Sequence, residues 1–200
     1  MRIFASFFEC ANRIIMKIPL KEIADIRFGF YGKSAPSGKY NYIQAKYFDN
    51  SGIIVNTMDS FIDLEDKDRD HILLDGDILF VSKGFRYFSW CYRSHVGPAV
   101  ASAIFFVIRP NQTTIIPEYL NTFFNIPKNQ EFFKQFGAGS SIPSIRKSEL
   151  ESILIPVPEI SDQQKIVNLT NLYLKDIALS NAILKSKIDL YQSVISNILI

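Results

Sequence analysis

Gly137-Ala-Gly-Ser-Ser-Ile-Pro-Ser-Ile-Arg-Lys-Ser-Glu-Leu-Glu-Ser-Ile-Leu-Ile-Pro-Val-Pro158, followed by Gln163-Gln164, is where the character of the chain changes. Gly137 and Gly139 admit backbone angles closed to other residues and Pro143 fixes its own φ, so the stretch begins as a shaped loop. Hydroxyls on Ser140, Ser141 and Ser144 then stand beside two cations, Arg146 and Lys147. Ser148 reads as the N-cap of one short helical turn, and residues 153–157 as a buried strand. Pro156 and Pro158 stop that strand before a long helix opens at Ser161. A polar loop flanked by cations, set between a globular body and a long helix, is where a ligand site is expected.

Downstream, no Pro or Gly interrupts the chain from Gln163 to its end. On a heptad frame Val167, Leu174, Asn181, Ile188 and Ile195 share one seam position, and Thr170, Ile177, Leu184, Tyr191 and Ile198 share the other. Most are apolar, which predicts a helix that packs against a partner helix, with Asn181 fixing register. Such a helix spans roughly 57 Å at ~1.5 Å per residue, too long for one small domain to cover. An amphipathic helix folded back on its own domain is the competing reading.

Upstream, the spacing of Leu20, Ile23 and Ala24 after Pro19 predicts a short helix within residues 18–26. Residues 28–40 form a glycine-punctuated loop carrying Tyr31, Lys33 and Lys39. Glycines permit close backbone approach and lysines meet phosphates, although an ordinary surface loop has the same composition. Residues 42–48 read as a strand with Gln44 and Lys46 on one face. Glutamine bonds adenine bidentately and lysine contacts guanine, so that face is a candidate reader of bases. Asp75-Gly76 predicts a turn into a buried strand over 77–82, ending at Lys83-Gly84. In Phe85-Arg-Tyr-Phe-Ser-Trp-Cys-Tyr-Arg-Ser94, aromatics interleave with cations. Arg86, Tyr87 and Arg93 are therefore candidate contacts to a polyanion, with Phe85, Phe88 and Trp90 available to the core. Residues 99–108 form a continuous apolar run, read as a central strand closed by Pro110. Pro117 and Pro127 open two helices whose Leu120, Phe123, Phe124, Phe132 and Phe133 are expected to face inward.

Composition bounds these readings. Two hundred residues allow one domain or one domain with an appendage, and 48% hydrophobic against 21% charged residues allows a substantial core. The formal charge of +2 is weak for a nucleic-acid binder, but residues 58–77 hold eight acids against Lys67 and Arg69, a net of −6. The other residues therefore carry +8, which restores an electrostatic case for a polyanion partner. Cys10, Cys91, His71 and His95 show no zinc spacing and no disulfide framework, so a reduced, cytoplasmic protein is expected. No apolar run reaches the roughly 20 residues of a membrane helix, and residues 1–16 read as an extension before a start at Met16.

Catalytic vocabulary is thin. The Gly137-Ala-Gly139 loop lacks the Gly-Lys-Ser/Thr ending of a phosphate-binding loop, and Asn125-Ile-Pro-Lys128 is not an adenine-methyltransferase signature. No nucleophile motif marks a hydrolase, and Asp63, Glu65 and Lys67 only superficially match nuclease carboxylates. The residues by themselves describe a binding module, with no metal site and no cofactor.

Five pieces in order carry a resemblance. They are Ile18-Pro-Leu-Lys-Glu-Ile-Ala-Asp-Ile26, Tyr42-Ile-Gln-Ala-Lys46, Asp75-Gly-Asp-Ile-Leu-Phe-Val-Ser-Lys-Gly84, Ile116-Pro-Glu-Tyr-Leu120, and the Gly139–Pro158 stretch with Gln163-Gln-Lys-Ile-Val167. Together, over about residues 17–200, they resemble a target-recognition domain of type I restriction–modification specificity subunits. The usual subunit carries two such domains and two long helices, whereas this chain has room for one of each.

The resemblance implies an α+β (mixed α/β) fold with a curved, mostly antiparallel sheet and a coiled-coil-type C-terminal helix. It implies a 1–16 extension, a 17–160 recognition domain and a 161–200 dimerisation or spacer helix. The expected function is a non-catalytic, sequence-specific DNA-binding subunit that reads half of a bipartite target and directs modification and restriction subunits. S-adenosylmethionine, ATP and Mg²⁺ would belong to those partners. The expected contacts to double-stranded DNA are Tyr31, Lys33, Gln44, Lys46, Lys83, Arg86, Tyr87, Arg93, Ser140, Ser141 and Arg146. Leu174, Ile177, Asn181, Leu184, Ile188, Tyr191, Ile195 and Ile198 would form the seam of an antiparallel homodimer. A decoy that docks the modification subunit without reading DNA, and a small metal-dependent nuclease, are the alternatives.

Overall fold

The computed structural model describes residues 15–136 and 141–199. In chain order these form β1 (Lys17–Pro19), the single-turn helix α1 (Leu20–Ile23), β2 (Ala24–Phe28), β3 (Tyr40–Ile43) and β4 (Phe61–Ile62). Next come β5 (Ile78–Val81), β6 (Ser89–Cys91), β7 (Ala99–Ala101) and β8 (Phe105–Pro110). Helices α2 (Pro117–Asn125), α3 (Pro127–Lys134) and α4 (Lys147–Glu151), strand β9 (Leu154–Pro156) and helix α5 (Ile160–Leu199) complete the chain. The fold is α+β with a long C-terminal helix, as expected.

Three sheets share the strands. The largest is antiparallel in the order β2-β8-β5-β6. Its middle strands are the two most apolar runs, and all four residues of β5 are buried. Period-two alternation sends Ile78, Phe80, Phe106 and Ile108 to one face and Leu79, Val81, Phe105 and Val107 to the other, so each face nucleates its own core. On the first, Phe80 packs 5.1 Å from both Phe124 and Phe133. On the second, Phe48, Phe88 and Phe105 form a ring cluster. In the second sheet β3 pairs antiparallel with β4 and parallel with β7. The third, β1 with β9, ties the two ends of the globular part together.

Tertiary pairing overrides several local expectations. The helix expected within 18–26 is one turn between two strands, because Ala24–Phe28 pairs fully with Phe106–Pro110 and Leu20 N–H donates to Ile153 O. The strand expected over 42–48 stops at Ile43, and Ala45–Tyr47 is a 3₁₀ turn. Consecutive Tyr47 and Phe48 are both buried, which alternation forbids, so Gln44 and Lys46 do not share a strand face. The apolar run 99–108 is two strands of different sheets, broken at Ser102–Ile104. Of residues 153–157 only Leu154–Pro156 is strand, and Leu154 is exposed. Arg146, rather than Ser148, occupies the cap of α4, where its N–H donates to Glu149 Oε2 at 2.7 Å. Leu120, Phe124 and Phe133 are fully buried beneath α2 and α3 and Phe123 packs beside them, but Phe132 is 45% exposed.

Helix α5 has 40 residues, about 60 Å at ~1.5 Å per residue. Only its root is buried, at Asp162, Gln163 and Val167. From Leu172 to Ile198 its large apolar side chains stand in solvent, apart from the half-buried Ile195. The helix does not fold back on its own domain. Among the described residues no helix is long and apolar enough to cross a membrane.

Candidate nucleic-acid interface

The break between β7 and β8 organises one end of the domain. Phe30 N–H donates to Ala101 O (2.7 Å), Gly29 N–H to Phe105 O (2.9 Å) and Ser102 N–H to Ile43 O (2.9 Å). From another side, the Ser82 N–H and hydroxyl both donate to Ile104 O, at 2.9 and 2.8 Å. The 141–146 loop joins here: Ile145 N–H donates to Ser82 O, and Gly84 N–H to Pro143 O at 2.8 Å. Loops 29–33, 44–46, 83–86 and 141–146 thus converge on the Ser102–Ile104 turn. Gly29 is required by close approach, because a Cβ there would lie 2.2 Å from Ser102 O. Ile145, Leu150 and Ile155 insert into the core and fasten the C-terminal loop against this end.

On this end Tyr31 is 90% exposed, and Lys33, Lys83, Ser141 and Arg146 are also exposed. The Tyr42 hydroxyl holds the first loop, accepting from Gly32 N–H and donating to Phe30 O at 2.9 Å. Gln44 is half-buried at the start of the 3₁₀ turn. Lys46 is exposed but engaged, donating to Asp59 Oδ1 at 3.3 Å and Ser60 Oγ at 3.2 Å. Desolvation works against its ammonium, but the Tyr47 hydroxyl and the Asp59 carboxylate outweigh that and raise its pKa. Asp59 in turn is held below the usual carboxylate range by the Tyr47 hydroxyl and Lys46. Arg86 is exposed yet reaches Phe48 O, Asn50 Oδ1 and Ala45 O at 3.3 to 3.5 Å, so it braces loop 44–50 against loop 83–86.

Two expected contacts do not join this end. Tyr87 is 3% exposed among the core aromatics, stacked near Phe80, and burial raises its phenol pKa. Arg93 stands beside the opposite end of β5, paired with Asp75 at 2.7 Å and with Glu118. Ser140 lies outside the described residues. Sequence reasoning left Phe85 out of the expected contacts, as a residue available to the core: it is 74% exposed, and Ile142 is 65% exposed. The signal was present in Lys83-Gly84, which ends the strand and puts the next residue on a turn; Gly84 has φ +107.

The nuclease trio is otherwise employed. Asp63 Oδ1 accepts from Lys39 N–H at 2.8 Å, and Glu65 pairs with Lys67 at 2.7 Å in solvent. Among the described residues no cluster of three or more His, Cys, Asp or Glu is placed to hold a metal. Burial pushes the Cys91 thiol up to about 11, away from nucleophilic use.

At the root of α5, Gln163 is fully buried and joins two backbone segments. Its Oε1 accepts from Ile116 N–H at 2.8 Å, and its Nε2 donates to Thr114 O (3.1 Å) and Pro158 O (2.9 Å). One side chain therefore fixes the long helix to the domain. Two motif pieces, 116–120 and 163–167, meet at this joint.

The family model for the type I restriction modification DNA specificity domain matches residues 15–188. This chain belongs to that family. Among solved structures, the specificity domain is similar to the HsdS subunit from Thermoanaerobacter tengcongensis, with TM-score 0.60 and 15% identity over 81% of this chain. It is likewise similar to the type I restriction-modification system S subunit from M. genitalium, with TM-score 0.59 and 16% identity over 82% of this chain. At these identities the likeness is one of fold. The matched part spans 38% and 40% of those two chains. No protein of curated function matches this specificity domain.

Proposed function

We propose that this specificity domain reads one half of a bipartite DNA target and directs separate modification and restriction subunits to it. The observation that carries the reading is the convergence of four loops on one end, with Lys33, Lys83 and Arg146 exposed there. Backbone bonding to the Ser102–Ile104 turn makes that surface a rigid platform, and exposed cations supply the sequence-independent attraction to phosphates. The chain itself is non-catalytic; adenine methylation with S-adenosylmethionine and ATP- and Mg²⁺-dependent cleavage reside in the partners. It acts in the cytoplasm, and α5 is a spacer through which two copies pair antiparallel. Two-fold symmetry then makes the target palindromic.

The test is the adenine methylome of the source cell with and without the gene. Loss of a palindromic two-part motif on deletion is expected. Loss of an asymmetric motif would keep the reading function and replace the homodimer by a different second half. An unchanged methylome would overturn the reading and leave a subunit that docks without reading.

A further inference from the structure

Phe85 stands 74% exposed on the converging end of the domain. Single exposed apolar residues are common on any surface, so exposure alone means little. Its neighbours set it apart. On one side Gly84 N–H is tied to Pro143 O at 2.8 Å and Lys83 bridges to Ser144. On the other, the Arg86 guanidinium is tied to Phe48 O and Ala45 O. The ring is thus presented from a backbone anchored on both sides. Ile142, on the segment bonded to Lys83 and Gly84, is itself 65% exposed, and Lys83, Arg86 and Arg146 are exposed on the same two loops. The result is an exposed aromatic ring on a loop that carries cations. It fits DNA, whose phosphates meet the cations while its bases offer apolar surface.

We propose that Phe85 is a base-contacting, specificity-determining residue, its ring making apolar contact with DNA bases while Lys83 and Arg146 meet phosphates on either side. The inference rests on the DNA-reading function proposed above and adds the residue that reads. An aromatic ring contacts bases in two ways: against the thymine 5-methyl group in the major groove, or as a wedge at a base step.

The test selects bound sequences from a randomised duplex pool with the full chain and its modification subunit, comparing wild type with Phe85→Ala and Phe85→Leu. Phe85→Ala should hold the unselected pool within about twofold of wild type, since phosphate contacts dominate that affinity. It should lose about tenfold of the preference at one or two adjacent base pairs, the size of a base contact, and Phe85→Leu should lose less. Replacing thymine by uracil at those pairs costs the same if the ring meets the methyl. Brightening of 2-aminopurine placed there, dependent on Phe85, identifies the wedge instead. Neither effect at either pair overturns the proposal, as does a Phe85→Ala variant that recovers the wild-type motif at full strength. A variant that keeps the motif but releases the modification subunit makes Phe85 a protein contact, and also overturns it. A wild-type chain that recovers no motif refutes the DNA reading itself, and is recognisable without any variant.

Discussion

Gly29 shows how one atom positions the interface. Its Cα passes so close to the Ser102–Ile104 turn that an added methyl would meet Ser102 O at 2.2 Å, and that obstacle is backbone rather than a movable side chain. Gly29→Ala should therefore destabilise by about 1–3 kcal/mol, the usual cost of overpacking, read as a lowered urea midpoint at unchanged m-value. A wild-type midpoint would show that the turn yields freely and that the loops are not braced as described. The same attention to single atoms separates Arg86 from Lys83. Both are exposed cations, but Arg86 spends its donors on three backbone and side-chain oxygens of loop 44–50, so its loss would loosen the platform as well as remove charge.

Between elements, the joint of α5 with the domain depends on Gln163. Replacing it with Ala orphans Ile116 N–H, Thr114 O and Pro158 O in a buried site. Each unsatisfied group costs about 1–3 kcal/mol, so Gln163→Ala should destabilise by about 3 kcal/mol after relaxation. Gln164, next in sequence, is exposed and reaches only Asn168 one turn on, and Gln164→Ala should stay within about 0.5 kcal/mol of wild type. Equal losses from the two variants, by thermal or chemical melt, would dissolve the distinction.

At the scale of the whole molecule, α5 leaves the domain with its apolar seam uncovered. Ile177 is 38% and Leu184 57% exposed, so neither supports the globular core. In the proposed dimer both lie in the helix–helix seam, and Ile177→Glu with Leu184→Glu should turn a dimer into a monomer by light scattering while leaving the domain's melt unchanged. A wild-type chain that is monomeric alone and with the modification subunit would remove the dimer from the proposal. Charge is also a whole-molecule property. The acidic stretch 58–77 offsets a basic remainder, and it reaches the converging end at Asp59, which pairs with Lys46, so the free cations there are those on the other loops. Arg146→Ala should weaken binding to all sequences alike and lower the slope of log affinity against log salt by about 0.9, one phosphate contact. An unchanged slope would place Arg146 off the phosphates.

Several features were determined by the sequence alone. Strand β5 was readable because Asp75-Gly76 and Lys83-Gly84 punctuate four apolar residues, and helices α2 and α3 because each begins with proline. The length and exposed seam of α5 followed from uninterrupted heptads, which need no tertiary information. Tertiary structure decided what depends on pairing between distant segments. Residues 18–26 and 42–48 hold ambiguous local patterns, resolved by β8 against the first and by Ser102 and the buried Tyr47–Phe48 pair against the second. Of the expected contacts, those on loops bonded to the Ser102–Ile104 turn or to Ser82 and Gly84 came together, because backbone pairing between distant segments gathers those loops at one end. Arg93 and Tyr87 shared the right residue types but sit at the far end of β5 and inside the core. Composition states which side chains a segment offers. The register of a sheet decides the end and the face on which they emerge, and it is set by hydrogen bonds between residues far apart in the chain.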